Sequence, residues 1–405
     1  MTQTIIQRMS MLGMSIFALL GATGSAFALQ PLDDEALGNE TGQAAFFTNY
    51  IDPATSGNVS GLGFFTLGLQ GTVALNANIN HLQLGCGGVN GASGCDIDLS
   101  QVRLSGKTPD ANGNYAGSDA TLTNPFIQLA IKNPTVLATR QVVGMALGAQ
   151  GADGMLSIGQ NPNTGTAGTP GGTAGGETGI NSLSGNFMIQ VHDLQVPVTI
   201  TTFGINTGSG NLPLLNTTTT PKNGVNQPNG VYSQYVSGSR ITGANLGPLA
   251  LDASPLGGFA GVLVNGLGGV AYATASENFI DAHNLDVTSS TTSGMLLSLN
   301  SQNILWPQVG TSGVYSFATG SQYTQSNGNA VSTNALQAKT GWWLSLPTVG
   351  VGGTPSKPLV TQGVTLDIFG NPTALSALGS PGPTLNSLNL GQVPSTNCYG
   401  GYKFC

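Results

Sequence analysis

The chain has 405 residues and little charge: 10 Lys and Arg against 17 Asp and Glu, a formal net charge of −7. Charged residues make up 7% of it, whereas an average soluble domain has about 25%. An acidic chain with few bases disfavours nucleic acid, whose phosphates require basic patches, and anionic lipid surfaces. Since it has only three His and four Cys, we predict no enzyme activity and no cofactor.

Residues 1–28 have the features of a secretory signal peptide. Arg8 supplies a positive start, Met11–Ala22 is apolar, and Ala26-Phe27-Ala28 matches the small-x-small cleavage pattern. The apolar stretch is short for a span of about 30 Å of hydrocarbon. We therefore predict an exported protein whose mature chain begins at Leu29, with no transmembrane helix.

Residues 29–44 form an acidic segment that differs from the rest of the chain. Asp33 can cap a short helix, and the acids that follow it suit the positive end of the helix dipole. Gly38 and Gly42 are placed to end that helix quickly. We predict a short acidic helix here.

From residue 45 onward the pattern is that of strands. Apolar and polar residues alternate over Thr72–Ile79, Phe187–Val191 and Val364–Ile368, and Asn-Gly turns separate such segments. Thr135–Gln150 is compatible with a helix or a strand pair, and we favour strand. The predicted fold is all-β, an antiparallel β-sandwich or an irregular β-roll.

Two low-complexity stretches predict long surface loops. They cover residues 159–180 and Asn206–Gly230, and both are rich in Gly, Thr, Asn and Pro. They divide the chain into three β blocks, residues 45–158, 181–300 and 301–405. These blocks can be parts of one continuous sheet.

A degenerate internal repeat lies within these blocks. Asn186–Val196 and Asn278–Val287 share one order of residues, and Ile79–Leu84 follows the same apolar-polar-polar-Leu pattern. In each copy the apolar phase flips across two polar residues, as it does at a β-bulge or a strand corner.

The repeat contains all three histidines, yet it does not predict a metal site. His81 aligns with Asp193 and Asn284 rather than with His192 and His283, so we predict polar corner residues that hydrogen-bond the local backbone. Calcium needs six to eight oxygens, and no calcium-binding repeat supplies them around the scattered carboxylates Asp96, Asp98, Asp281 and Asp286.

The four cysteines form two close pairs, Cys86 with Cys95 and Cys398 with Cys405. Three connectivities are open in principle. An exported chain meets an oxidising compartment, so we predict two local disulfides, each worth about 2–3 kcal/mol. A four-thiolate metal site would need a closer spacing within each pair.

Trp342 and Trp343 form the most distinctive aromatic feature. Adjacent residues on a strand point to opposite faces, so one ring is predicted in the core and the other on the outer face. The outer ring is a candidate contact for a protein partner or a sugar. The alternative is that both rings pack against neighbouring loops.

The acidic segment resembles the one that follows the signal peptide in pilus-system proteins of the fil operon type (FilA-like). The residues that carry this resemblance are Leu32, Asp33, Asp34, Glu35, Leu37, Thr41, Gly42 and Gln43. Further matching elements are Asn124–Ile127, Lys132–Pro134, Thr139–Gly144 and Leu147–Ala149. The resemblance implies an exported, surface-associated component linked to a pilus or fimbrial assembly, and it implies no catalytic residues.

These observations predict a structural or adhesive component at the cell surface, outer-membrane-associated, pilus-bound or extracellular, with a role in adhesion and biofilm. Its expected partners are proteins of that assembly, with a glycan as a further candidate. A chaperone–usher tip adhesin is an alternative, although Cys398–Cys405 ends the chain where a donor strand would be expected. An outer-membrane β-barrel would be richer in aromatic residues than 6%. A secreted hydrolase or metal-binding protein is the last alternative.

Overall fold

A computed structural model describes most of the chain beyond residue 45, within the unit Ala45–Cys405. The described residues are 46–108, 117–159, 179–203, 205–214, 230–253, 255, 270–278, 282–287, 295–309, 315–320, 323, 325–352, 359–360, 364–367 and 384–386. The predicted signal peptide, the acidic helix, nearly all of the loop at 159–180 and the Cys398/Cys405 pair lie outside them.

Strand is the main secondary structure of the described chain, which has one four-residue helix, α1 (Thr333–Leu336). The strands are β1 (Phe46–Ile51), β2 (Gly63–Leu69), β3 (Thr72–Leu75), β4 (Ala77–Leu84), β5 (Ile97–Ser105), β6 (Ala120–Lys132), β7 (Gln141–Asp153), β8 (Met155–Ile158), β9 (Ile180–His192), β10 (Leu194–Thr202), β11 (Ile205–Pro213), β12 (Val231–Ile241), β13 (Gly243–Asp252), β14 (Val270–Asn278), β15 (Ala282–Asp286), β16 (Leu296–Asn300), β17 (Pro307–Val309), β18 (Tyr315–Phe317), β19 (Gly341–Gly352), β20 (Leu359–Val360), β21 (Val364–Asp367) and β22 (Thr384–Asn386). The all-β prediction is confirmed.

Thirteen strands form one large sheet in the order β1-β2-β6-β7-β16-β19-β15-β8-β5-β9-β12, with β3 on β6 and β4 on β5. All three predicted β blocks contribute strands to it. The sheet is mixed rather than purely antiparallel, because β19 also pairs with β9 in parallel. That pairing closes β19, β15, β8, β5 and β9 into a ring. Smaller sheets join β10 with β11, β20 and β21, β13 with β14 and β22, and β17 with β18.

The segment Thr135–Gln150 contains the start of strand β7, as favoured from its pattern. The loop predicted over Asn206–Gly230 is wrong in its first part, because β11 pairs with β10 from Ile205 to Pro213. Low apolar content suggested a loop there. However, Leu212 is fully buried in the core, and cross-strand hydrogen bonds hold the polar residues around it.

The predicted change of apolar phase is present at a strand corner in Asn186–Val196. Asp193 separates β9 from β10 and has a φ of 53°, a left-handed conformation that Asp tolerates better than most residues. Ile189 and Val191 are buried just before Asp193, and after it the buried residues lie at even positions from Leu194 to Ile200, although Asn186 and Met188 on β9 are buried as well. In the copy at Asn278–Val287, residues 279–281 at the corresponding point lie outside the described ones.

Asn124 lies on β6 at the point where the neighbouring strand changes from β2 to β3. With a φ of 48°, it accepts a hydrogen bond from the Gly71 amide through Oδ1 (2.8 Å) and donates from Nδ2 to Gln150 Oε1 (2.9 Å). The backbone of Asn124 also donates to the Gly71 carbonyl. These hydrogen bonds pair polar groups at the position where the β2–β6 pairing ends. They also fix β2, β6 and β7 relative to one another.

The apolar interior consists of two buried clusters. The first lies around the ring and β9, β10 and β13, and includes Phe187, Leu194, Ile200 and Leu249. The second lies on one side of β2, β6, β7, β16 and β19, which we call the inner face; its members include Phe64, Phe126, Trp306, Phe317 and Trp343. The opposite side of these strands and of β1 is here called the outer face. No described helix is long and apolar enough to cross a membrane.

Candidate functional site

The outer face is unusual because its side chains are more apolar than those of the buried inner face. In β2, Phe64, Thr66 and Gly68 point inward and are buried, whereas Phe65 and Leu67 point outward and are exposed. A sheet with one solvated face normally alternates apolar inside with polar outside. Here both sides are apolar, and the buried side also includes polar residues.

Strand pairing aligns the outward side chains of β1, β2, β6, β7, β16 and β19 into two cross-strand rows. The first row consists of Tyr50, Phe65, Leu129, Met145, Leu299 and Trp342. The second consists of Thr48, Leu67, Ile127, Leu147, Leu297 and Leu344. Seven of these side chains are 39–47% exposed: Tyr50, Phe65, Leu67, Ile127, Met145, Leu147 and Leu299. On β16 and β19, the row members Leu297, Trp342 and Leu344 pack against the first core cluster.

An open groove of about 590 Å³ lies beside the second row. Apolar side chains form nearly all of its lining, among them Phe46, Leu69, Leu122 and Met295. Phe46, at the start of β1, is 66% exposed. The groove and the rows form one continuous apolar surface.

No charged side chain belongs to the two rows or to the groove lining among the described residues. The exposed large side chains of this face together present on the order of 700 Å², if a fully exposed one offers roughly 200 Å². The largest apolar patch of a typical monomer is about 300–600 Å² and is often functional. The outer face is therefore the strongest candidate site in the described chain.

Polar side chains at the inner face are paired in hydrogen bonds. Asn186, on β9, is the centre of one group, since its Oδ1 accepts from Trp343 Nε1 (2.6 Å) and Ser345 Oγ (2.6 Å). Its Nδ2 donates to the Tyr235 hydroxyl. Burial raises the pKa of Tyr235 well above its usual value, so this hydroxyl stays protonated. These contacts fix β19 against β9.

A second inner pair is Gln128 with Thr66, both fully buried. Gln128 Nε2 donates to Thr66 Oγ1 at 2.7 Å, while Gln128 Oε1 is buried without a hydrogen-bond partner. This pair sits directly behind the outward Leu67 and Ile127. At the centre of the sheet, polar side chains are therefore buried and apolar side chains are exposed.

The predicted Cys86–Cys95 disulfide is present. The loop it closes is fixed by Asp96, whose buried carboxylate accepts from Arg240 Nε (3.2 Å), Asn90 Nδ2 (2.9 Å) and the Trp342 amide (3.0 Å). These are structural contacts and not the oxygen cage that calcium would need.

The three histidines lie in different settings. His81 Nε2 is 2.9 Å from Asp98 Oδ1, His192 Nδ1 is 3.1 Å from Asp193 Oδ2, and His283 is buried. The polar partners of His81 and His192 are carboxylates, whereas backbone hydrogen bonds were expected. Within the described ranges, no three His, Cys, Asp or Glu side chains lie close enough to hold a metal ion.

The carboxylate of Asp98 is the clearest shifted acid near these histidines. Burial raises its pKa, but hydrogen bonds from Asn181, Gln83 and His81 outweigh burial and the net pKa is lowered. It stays ionised to lower pH than an ordinary Asp.

The two tryptophans point to opposite faces, as adjacent strand residues do. Trp343 is fully buried on the inner face, so it is the ring of the pair that lies in the core and it is not available to a partner. Trp342 ends the first outer row and is half-buried against the first cluster. Any partner contact by this pair therefore falls to Trp342.

No protein family, curated protein or solved structure matches this chain.

The outer rows were not predicted from the sequence, because only one of the two alternating sets of positions in each strand was taken as apolar. The signal lay in segments such as Gly63–Leu69 and Phe126–Ile131, where both phases contain large apolar residues. A strand with both phases apolar indicates burial on both sides. In the described chain the outward phase is instead exposed.

Proposed function

We propose that this protein is an exported structural component of the cell surface that works by packing its outer face against an apolar surface of a partner. The observation that carries the proposal is the uncharged, exposed apolar face on β1, β2, β6 and β7. Exposed apolar surface of this extent marks an interaction site in a protein that stays folded in water.

The link to export and to a pilus or fimbrial assembly is supported by sequence. Residues 1–28 have signal-peptide features, and the acidic segment with Leu32–Leu37 and Thr41–Gln43 resembles that of the FilA-like proteins. An assembly subunit needs contact surfaces rather than catalytic groups. The outer face is such a surface, and a role in adhesion or biofilm would follow from the assembly.

A glycan is a weaker candidate partner. Sugar recognition combines an aromatic ring with hydrogen-bonding groups around it. Trp342 supplies a half-buried ring, but its row neighbours are Leu299 and Met145. The chemistry of the face favours an apolar partner.

The proposal is tested in the native host with the double variant Leu67→Lys/Leu147→Lys. Both positions are exposed, so the chain should fold and be exported normally. We expect loss of surface attachment and of biofilm, measured together with proteinase shaving to show where the protein lies. Val59→Lys is the matched control, since Val59 is exposed in the β1–β2 loop and outside the rows.

Wild-type attachment and biofilm in the double variant would overturn the role of the outer face. Protection of wild-type protein from proteinase in intact cells, with release only on lysis, would overturn the surface location.

A further inference from the structure

We infer that the outer face binds the outer face of a second copy of this chain, giving a homodimer with the two sheets packed face to face. This inference rests on the proposed function, because it names the partner of the same site.

Area is the first argument for a second copy. A stable protein interface buries about 800 Å² on each partner, and the exposed side chains of the outer face offer on the order of 700 Å². The face is therefore close to the size of one side of a standard interface. In an isologous dimer each copy supplies the same surface, so both sides meet this requirement together.

Chemistry is the second argument. The side chains of the two rows are apolar or aromatic apart from Thr48, and no described charge lies among them. A partner must therefore be apolar over the same area, since a charge opposite this face would be desolvated without a counter-charge. The outer face of a second copy meets that condition because it is the same uncharged surface. The formal net charge of −7 on each chain lies outside the described rows.

Shape is the third argument. Packed sheets lie about 10 Å apart with interdigitated side chains, which requires ridges and a depression on the same face. The rows that include Phe65 and Leu67 are the ridges, and the 590 Å³ groove beside the second row is the depression. Phe46, at the groove and 66% exposed, is the most protruding side chain available to enter the groove of the second copy.

A lipid bilayer fits this face less well. The outward apolar residues are most extended on β6, where they run from Pro125 to Ile131, six residue steps or about 20 Å along the strand. The apolar band of a membrane-spanning sheet is about 25 Å tall. Attachment to the surface of an anionic membrane would need several Lys and Arg beside the patch; the rows contain none, and Lys132 and Arg140 lie at the β6–β7 turn at the end of the face.

The test uses the purified full chain in analytical ultracentrifugation from about 1 to 100 µM, a range that covers weak and moderate protein affinities. We expect a monomer–dimer equilibrium for wild type. The variant Leu67→Glu/Leu147→Glu should raise the dissociation constant by at least about 100-fold, because its charges would be buried unpaired in the interface. Val59→Glu should dimerise like wild type, and melting curves establish that both variants fold.

A second readout locates the interface without mutation. Met145 lies in the first row and is 39% exposed, so peroxide should oxidise it more slowly as protein concentration rises. Met155, partly exposed on β8 and outside the rows, should show no such dependence.

A wild-type chain that stays monomeric at 100 µM overturns the inference, and so does a dimer that the Glu variant leaves intact. Flotation of monomeric wild type with phosphatidylcholine vesicles, abolished in the Glu variant, would assign the face to lipid instead. A monomer whose Lys variant still loses surface attachment would contradict only the dimer. A dimer whose Lys variant attaches normally would contradict only the proposed function.

Discussion

The two faces of the strands β2, β6, β7, β16 and β19 differ in role: the inner face stabilises the fold, and the outer face is the proposed interaction surface. The inner face is buried and includes hydrogen-bonded Thr66, Gln128, Asn186 and Ser298 beside its aromatic residues. The outer face is exposed and, in its rows, almost wholly apolar. The inner face is buried because the segment Ile304–Trp306 packs on it. It is not buried because it is the more apolar of the two.

The largest difference should appear between the neighbouring residues Trp343 and Trp342. Trp343→Ala removes a fully buried ring and its hydrogen bond to Asn186, so the free energy of unfolding should fall by about 3–5 kcal/mol. Trp342→Ala removes a half-buried ring and should lower it by clearly less. Chemical denaturation of both variants measures the two values. Equal losses would mean that the faces do not differ in the way described.

The inner polar pair gives the next largest effect. Thr66→Val leaves Gln128 Nε2 buried without its acceptor, which should lower the free energy of unfolding by about 1–3 kcal/mol. In Thr66→Val/Gln128→Leu both partners become apolar, and Gln128 Oε1 no longer has to be buried without a partner. We expect the double variant to regain most or all of that loss in urea unfolding. A double variant less stable than Thr66→Val would show that inner polarity is needed for the fold.

The smallest effect concerns the charge of Asp98, which lies on β5, outside the strands that form the two faces. The pKa of Asp98 is lowered in the folded state, so its ionised form stabilises the fold above the unfolded pKa of about 3.9. That contribution is lost as pH falls through the folded pKa. Asp98→Asn should therefore lower stability near neutral pH slightly and make the acid limb of a stability–pH curve shallower below about pH 4. An acid limb as steep as that of wild type would contradict the role of this carboxylate.

Several features were accessible from local sequence because they depend on near neighbours. Alternation over Phe187–Val191 predicted strand β9, and the corner at Asp193 followed from the phase flip. Cys86 and Cys95 are nine residues apart, so their pairing needs only a short loop. Adjacent tryptophans on a strand must diverge, whichever one enters the core.

The sequence by itself determined the strand content, the local disulfide and the scarcity of charge. The tertiary structure decided which apolar phase is buried, because that depends on pairings between distant segments. Leu147 meets Leu297 across β7 and β16, and Trp343 reaches Asn186 over 157 residues. Where both phases of a strand are apolar, hydrophobicity favours burial of either side. Only the segment that covers one side, here the one with Trp306, selects the face that remains open.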